Sequence, residues 1–174
     1  MNLYALQVKT RTEKRFISLF RALHPENSIP IHFPQRQLSL RKNGVIKKTL
    51  LGVFPGYLFL EAANSNQIKA SLLEFRQIDG FYRFLKSNND ITPLSNRDLE
   101  LVLHFINSDN PAGLSKVYFD NNSKIIVLEG PLSGLEGRIL KVDKRKGRAK
   151  VKLDLYDDSF SIDLAFEVIS KTQP

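Results

Sequence analysis

The chain has 174 residues, no cysteine and a formal net charge of +8. Its 42% of hydrophobic residues is enough for a packed core, which argues against a disordered chain. The missing cysteines exclude a disulfide framework, a thiolate metal site and a cysteine nucleophile, and the positive charge favours an anionic partner, nucleic acid before membrane.

The N-terminal segment predicts a strand followed by a helix. Tyr4, Leu6 and Val8 share one face of a strand over 3–8, and a helical period follows over 11–23. The segment lacks the long apolar core of a secretory signal. No stretch of the chain approaches the roughly 18 apolar residues of a membrane span. We therefore expect a soluble, cytoplasmic protein that does not bind membranes.

The next segment predicts a strand over 31–40 and then a hairpin at Asn43-Gly44. A type I′ turn needs positive φ at both central positions, and Asn-Gly is its strongest sequence signal. The tip is basic, and it is either a solvated hairpin end or a nucleic-acid contact. Its cations are Arg41, Lys42, Lys47 and Lys48.

The middle of the chain mixes strands and helices. The segment 54–57, Phe-Pro-Gly-Tyr, predicts a turn that enters a buried strand, followed by a helix over 66–75 and a strand over 80–85. Ser95 and Asp98 fit a capping box before a helix that ends at Asn107. The composition of the following residues predicts a linker over 108–122.

The last part of the chain predicts only short strands, over 124–128, 137–142, 148–155, 159–164 and 165–169. Short strands separated by turns are typical of a small barrel. We expect an α+β fold class, with one domain of strands and helices over 1–107 and a barrel domain over 123–174.

The segment 129–152 carries the densest charge. Gly130-Pro131 and Gly134 predict turns, and seven Lys or Arg residues lie between positions 141 and 152. A hairpin with this positive tip suits a phosphate backbone, although charge that only keeps the hairpin soluble is about as plausible.

No pattern in the sequence indicates catalysis or a cofactor. His24, His32 and His104 lack metal spacing, and the phosphate-loop and nucleophile-elbow motifs are absent. Asp157 and Asp158 are adjacent, so in a strand they would point to opposite faces. We expect neither an enzyme nor a bound cofactor.

Several segments in order resemble the NusG family of transcription elongation factors. They are the strand 4–8 before Glu13-Lys14-Arg15, the segment 54–57, Pro93-Leu94-Ser95 before a helix, and the glycine-rich stretch 130–143 of a KOW motif. The resemblance implies an N-terminal NGN domain that binds the clamp helices of RNA polymerase, and a five-stranded KOW β-barrel that recruits a second partner. It also implies an apolar polymerase-binding surface, for which ordinary core packing is the alternative. Its candidates are Tyr4, Phe54, Tyr57 and Phe81.

The chain departs from general NusG proteins in two places. Their barrel binds Rho or a small-subunit ribosomal protein through an aromatic residue followed by Gly-Arg, whereas here Tyr156 is followed by Asp157-Asp158, which puts Rho and ribosome coupling in doubt. The barrel hairpin is also unusually basic, which resembles the LoaP group of operon-specific antiterminators. These recognise an RNA hairpin in the nascent transcript. The resemblance implies RNA contacts by Lys141, Lys144, Arg145, Lys146, Arg148 and Lys150.

We therefore expect a monomeric factor that binds RNA polymerase and nascent leader RNA and promotes readthrough of terminators in a specific operon. The cations Arg41, Lys42, Lys47 and Lys48 are candidates for contact with upstream or nontemplate DNA. A general NusG-type factor that couples polymerase to Rho or the ribosome is one alternative. A KOW-containing ribosomal or RNA-structural protein is another, although the segment 54–57 counts against it.

Overall fold

Eleven strands, four α-helices and one 3₁₀ turn are formed by residues 2–108 and 111–170, which this computed structural model describes. In chain order they are β1 Asn2–Val8, α1 Glu13–Leu23, β2 Ile31–His32, β3 Gln35–Lys42, β4 Val45–Gly52, β5 Tyr57–Ala62, α2 Ser65–Ala70, α3 Leu72–Arg76, β6 Phe81–Phe84, α4 Asn96–Asn107, β7 Ser115–Phe119, β8 Ile125–Glu129, the 3₁₀ turn Glu136–Arg138, β9 Ile139–Asp143, β10 Arg148–Leu155 and β11 Asp158–Val168.

These elements cluster into two units. Unit 1 comprises residues 2–33 and 54–100, and unit 2 comprises residues 34–53, 101–108 and 111–170. The hairpin β3–β4 therefore clusters with the C-terminal strands, although it lies between two segments of unit 1 in the sequence.

Unit 1 contains an antiparallel sheet with the strand order β2-β5-β1-β6. Both interior strands are almost wholly apolar, as strands buried on both faces require. Aromatic rings fill the core of this unit: Phe20 stacks on Phe75 with 4.1 Å between ring centroids, and Phe75 meets Phe84 edge-on at 5.6 Å. Each such pair adds about 0.5–1.5 kcal/mol to the stabilisation from area burial alone.

Unit 2 contains a five-stranded sheet with the order β8-β7-β11-β10-β9 and the two-stranded hairpin β3–β4. β11 is parallel to β7, and the other pairs are antiparallel. Ala149, Val151, Leu153 and Leu155 alternate along β10 with exposed polar residues, so that one face of the strand is buried. The α+β fold class with a five-stranded second sheet is confirmed.

The structure corrects three details of the sequence prediction. Residues 108–122 were predicted to be a linker, but they contain the strand β7. Ser115 and Val117 of this strand are buried, and the strand pairs with neighbours on both sides. The strands predicted over 159–164 and 165–169 are one strand, β11, which pairs with β10 and then, from Phe166 on, with β7. The helix predicted over 66–75 is interrupted at Ser71, where α2 ends and α3 begins, and the N–H of Ser71 bonds to the carbonyl of Ile68 three residues back.

Other elements form as predicted. α1, α4 and the Asn43-Gly44 hairpin are present, with φ of 51° at Asn43 and 80° at Gly44. Gly130 and Gly134 also adopt the positive φ of turns. The assignment of residues 1–107 and 123–174 to NGN and KOW domains stays a prediction.

Candidate nucleic-acid interface

The hairpin β9–β10 presents its cations on the face opposite the core. Along β10, Arg148 and Lys150 alternate with the buried residues, and Lys150 lies directly across from Lys141 of β9. Side chains of directly paired residues point to the same side of a sheet. Two of the predicted RNA contacts are therefore neighbours on one surface.

The turn between these strands is organised by Asp143. Its carboxylate accepts a hydrogen bond from the backbone N–H of Lys146 at 2.9 Å, and the Lys146 ammonium lies 3.8 Å away. This hydrogen bond, aided by the charges of Lys146, Arg145 and Lys141, lowers the pKa of Asp143 below its ordinary value. The carboxylate thus stays ionised and fixes the shape of the basic turn.

Lys144 extends from the same turn over an aromatic ring. Its Nζ lies 3.9 Å from the ring centroid of Phe119, which in turn meets Phe166 edge-on at 6.0 Å between centroids. A cation over an aromatic face is attracted by the ring quadrupole and loses conformational freedom. Lys144 is exposed but held against β7, and Arg145 and Lys146 are exposed at the tip without such a ring contact among the described residues.

The second basic hairpin, β3–β4, has exposed cations near its turn. Arg41, Lys42, Lys47 and Lys48 are all exposed, and so is Ile46, with 69% of its surface accessible. Directly opposite partners are Arg41 with Ile46 and Leu40 with Lys47. The hairpin therefore combines positive charge and apolar surface near its turn.

The two basic hairpins border one groove within unit 2, which we call the inter-hairpin groove. Its volume is about 730 Å³. It is lined by Ser39, Leu40, Arg41, Lys42, Ile46, Lys47, Thr49, Arg145, Lys146 and Arg148. Six of these ten residues are Lys or Arg, and none of the ten is acidic. Cations roughly a hundred positions apart in sequence are thus brought to one concave, positively charged surface.

Two arginines connect the hairpin β3–β4 to the five-stranded sheet. Arg148 donates from Nη2 to the backbone carbonyl of Ser39. Arg36, only 8% exposed, donates from Nε to the carbonyl of Asp163 at 2.8 Å and from Nη1 to the carbonyl of Gly52. Burial lowers the pKa of Arg36 to about 10, so the guanidinium is still charged at neutral pH.

The base of the same hairpin is also hydrogen-bonded to a neighbouring segment. The N–H of Gln37 donates to the carbonyl of Ala112 at 3.1 Å, and the N–H of Ala112 donates to the carbonyl of Gln35 at 2.6 Å. Backbone and side-chain bonds together fix where the hairpin stands within unit 2.

A smaller, mixed-charge depression of about 140 Å³ lies beside the groove. Asp143 and Asp163 share it with Lys141, Lys146, Arg148 and Lys150. The two carboxylates offset part of the positive charge there. The inter-hairpin groove is therefore the more purely cationic of the two surfaces.

The predicted polymerase-binding residues are mostly buried. Tyr4 and Phe54 are each 1% exposed, Tyr57 is buried, and Phe81 is half-buried. Tyr4 belongs to the core of unit 1, and Phe54 meets Phe59 edge-on at 5.2 Å between ring centroids. Burial is what the core-packing alternative requires, and a role of these residues in binding polymerase stays a prediction.

The predicted partner loop forms the tight turn between β10 and β11. Leu155 pairs with Asp158, so that Tyr156, with φ of 53°, and Asp157 are the two turn residues. Asp157 and Asp158 are exposed. The turn therefore presents negative charge, whereas the hairpin β9–β10 presents positive charge.

One group of possible metal ligands occurs in the parts of the chain that the structure describes. Atoms of His24, Glu26 and Glu74 lie within 4.8 Å of one another. Glu26 is largely exposed, and Glu74 already accepts a hydrogen bond from Asn27 at 2.6 Å. Exposed acidic groups often occur without a metal, so this group alone does not indicate a metal site.

Among the described helices, none is long and apolar enough to cross a membrane.

The sequence prediction missed the residues that hold the site together. Arg36 lies two positions before the buried Leu38 and therefore on the buried face of β3, which the alternation could have revealed. The ring of Phe119 beneath Lys144 and the carbonyl of Ser39 bonded to Arg148 depend on contacts between distant segments. No local pattern predicts such contacts.

The chain is similar to proteins named NusG over nearly its whole length. Residues 1–103 match the family model described as transcription termination factor nusG. The chain is 25% identical to the transcription termination/antitermination protein NusG of Bacillus subtilis (strain 168), over 97% of this chain and 92% of that protein. It is 21% identical to the protein of the same name from Helicobacter pylori (strain 26695), over 98% of both chains.

A solved structure shows the same fold. The structure that describes domain interaction in Thermotoga maritima NusG matches with a TM-score of 0.50 and 15% identity, over 94% of this chain and 93% of the other.

Proposed function

The chain belongs to the NusG family of transcription termination and antitermination proteins, and from that premise we propose that it is an operon-specific antiterminator. It binds RNA polymerase through its N-terminal part and a hairpin in the nascent leader RNA through the basic face of its C-terminal sheet. Its binding to both lets the polymerase read through terminators of that operon.

The observation that carries the proposal is the cation cluster of the hairpin β9–β10. Lys141, Lys144, Arg145, Lys146 and Lys150 are exposed there, and Arg148 is half-buried beside them. Paired RNA is recognised mostly by its shape and backbone, so basic side chains at this density are sufficient for affinity. Choice of one leader would require additional base contacts.

A general NusG-type factor is the second candidate, and the acidic turn at Asp157 and Asp158 argues against it. General NusG proteins are expected to carry Gly-Arg at this position for Rho or ribosome binding. Two exposed carboxylates reverse the local charge. A partner selected for a positive residue would meet repulsion here, which favours the specialised function.

The proposal is tested by reversing one charge on the barrel hairpin. Arg145→Glu should weaken binding of the chain's own leader RNA at least about tenfold, because one phosphate contact is worth roughly that much near 0.1 M salt. Binding to RNA polymerase should be unchanged, since the variant leaves unit 1 intact. Gel-shift titration measures the first interaction and pull-down with purified polymerase the second.

Lys124→Glu is the matched control, because it makes the same charge change at an exposed lysine elsewhere in unit 2. Equal leader binding by Arg145→Glu, Lys124→Glu and the unchanged chain would contradict the RNA assignment. A chain that never binds polymerase would contradict the proposal as a whole.

A further inference from the structure

We infer that the hairpin β3–β4 is the second wall of the RNA site, so that one paired RNA stem lies in the inter-hairpin groove against both basic hairpins. The inference rests on the proposed function and extends it. Arg41, Lys42 and Lys47, which were candidates for contact with DNA, are here assigned to the RNA site. Arg36 acts as a positioning residue that holds this wall in place.

The first support is the distribution of charge around the groove. Arg41, Lys42 and Lys47 line one side, and Arg145, Lys146 and Arg148 line the other. Like charges on facing walls repel one another unless an anion lies between them. A polyanion with phosphates along both edges relieves that repulsion at both walls.

The second support is the size and chemistry of the groove. A volume of about 730 Å³ is far larger than one phosphate group, and Leu40 and Ile46 add apolar surface among the cations. Ribose and phosphate present that combination of apolar and anionic surface along the backbone of a duplex. Paired RNA is recognised along its backbone and sugars, so it fits such a lining.

The third support is the attachment of the hairpin to the sheet. Arg36 does not line the groove, yet its guanidinium bonds to carbonyls of both β4, at Gly52, and β11, at Asp163. Burying a guanidinium is unfavourable unless its hydrogen bonds compensate. The bond to Asp163 joins the hairpin to the sheet, and the bond to Gly52 links the two strands of the hairpin itself, so together they set the position of the wall before RNA binds. A preorganised wall lowers the entropy lost on binding.

The test is salt-dependent binding of an RNA hairpin with a fully paired stem, compared with a DNA duplex of the same length. Lys47→Gln should weaken RNA binding about tenfold near 0.1 M salt and reduce the slope of log affinity against log salt by about one. Arg145→Gln should have the same effect on the opposite wall. Lys124→Gln, away from the groove, should change neither quantity.

Two further variants sharpen the test. Lys48→Gln alters a cation of the same hairpin that does not line the groove, and it should weaken RNA binding less than Lys47→Gln does. Arg36→Met removes no groove cation but should still weaken RNA binding and lower the salt slope, because the displaced wall loses its phosphate contacts. Arg36→Lys, which can keep one of the two bonds, should recover part of the affinity.

The outcomes separate this inference from the proposed function. If Arg145→Gln weakens RNA binding while Lys47→Gln and Arg36→Met leave it unchanged, the hairpin β3–β4 is not part of the RNA site and the inference is wrong. If Lys47→Gln weakens only the binding of the DNA duplex, the hairpin serves DNA and the inference is again wrong. If Arg145→Gln also has no effect on RNA binding, the proposed RNA site fails together with the inference.

Discussion

At the scale of single residues, unit 2 uses charged groups for structure as well as for binding. Arg36 and Asp143 sit close to the cations of the groove, yet both are engaged with backbone groups. Arg36 bonds to two carbonyls, and Asp143 accepts an N–H within its own turn. Each fixes the position of a basic segment, and neither is among the residues that line the inter-hairpin groove.

The lowered pKa of Asp143 predicts a pH-dependent contribution to stability. A carboxyl group whose pKa is lower in the folded chain stabilises the fold above its unfolded pKa, which is near 3.8. That contribution is lost as the pH falls through the folded pKa. Asp143→Asn keeps an acceptor oxygen but loses the charge, so it should be less stable than the unchanged chain near neutral pH. The difference should vanish in acid below the folded pKa.

Urea unfolding followed by circular dichroism at several pH values measures this difference. Asp157→Asn serves as the control, because it makes the same charge change in the exposed turn between β10 and β11. A stability difference between Asp143→Asn and the unchanged chain that grows towards acid pH would have the wrong sign for this account.

At the scale of elements, the turn before the 3₁₀ segment depends on a glycine. Gly130 has φ of 100°, and a Cβ there would lie 2.6 Å from Cα of Ser115. The hydroxyl of Ser115 accepts a hydrogen bond from the N–H of Leu132 at 2.9 Å, so a shift of Ser115 would also disturb the turn. The close approach of turn and strand explains the need for glycine.

Gly130→Ala should therefore destabilise unit 2 by about 1–3 kcal/mol, the usual cost of one residue in a strained backbone region. Gly137→Ala is the matched control, because no atom lies within 4 Å of its added Cβ, and it should stay within about 0.5 kcal/mol. Hydrogen exchange of the amides in β7 and β8 would locate the effect. Equal protection in the two variants would show that the close approach of Gly130 to Ser115 carries no energetic weight.

Local signals predicted the elements whose cause is local. The Asn43-Gly44 turn, the period of α1 and the turn at Gly130 each follow from the conformations that their own residues allow. β7 was missed because a strand of five residues, two polar and then three apolar, has a weak pattern, and the strand is defined by its pairing with β8 and β11. The break at Ser71 was missed because the residues around it are compatible both with one continuous helix and with two short helices.

At the scale of the whole molecule, the sequence indicated both basic hairpins but not their convergence. Arg148 and Ser39, which join them, are 109 positions apart. Charge patterns describe one segment at a time, and no local rule states which distant segments will share a groove. The α+β class and the family could be predicted because apolar periodicity and the glycine-rich segment 130–143 are local features.

Leader-dependent antitermination is tested by single-round transcription through a terminator. Purified RNA polymerase and this protein would be used on two templates, one carrying the chain's own operon leader and one carrying an unrelated leader. We predict increased readthrough only on the native-leader template, because only that transcript offers the RNA hairpin that recruits the protein. Equal readthrough on both templates, or none on either, would contradict it.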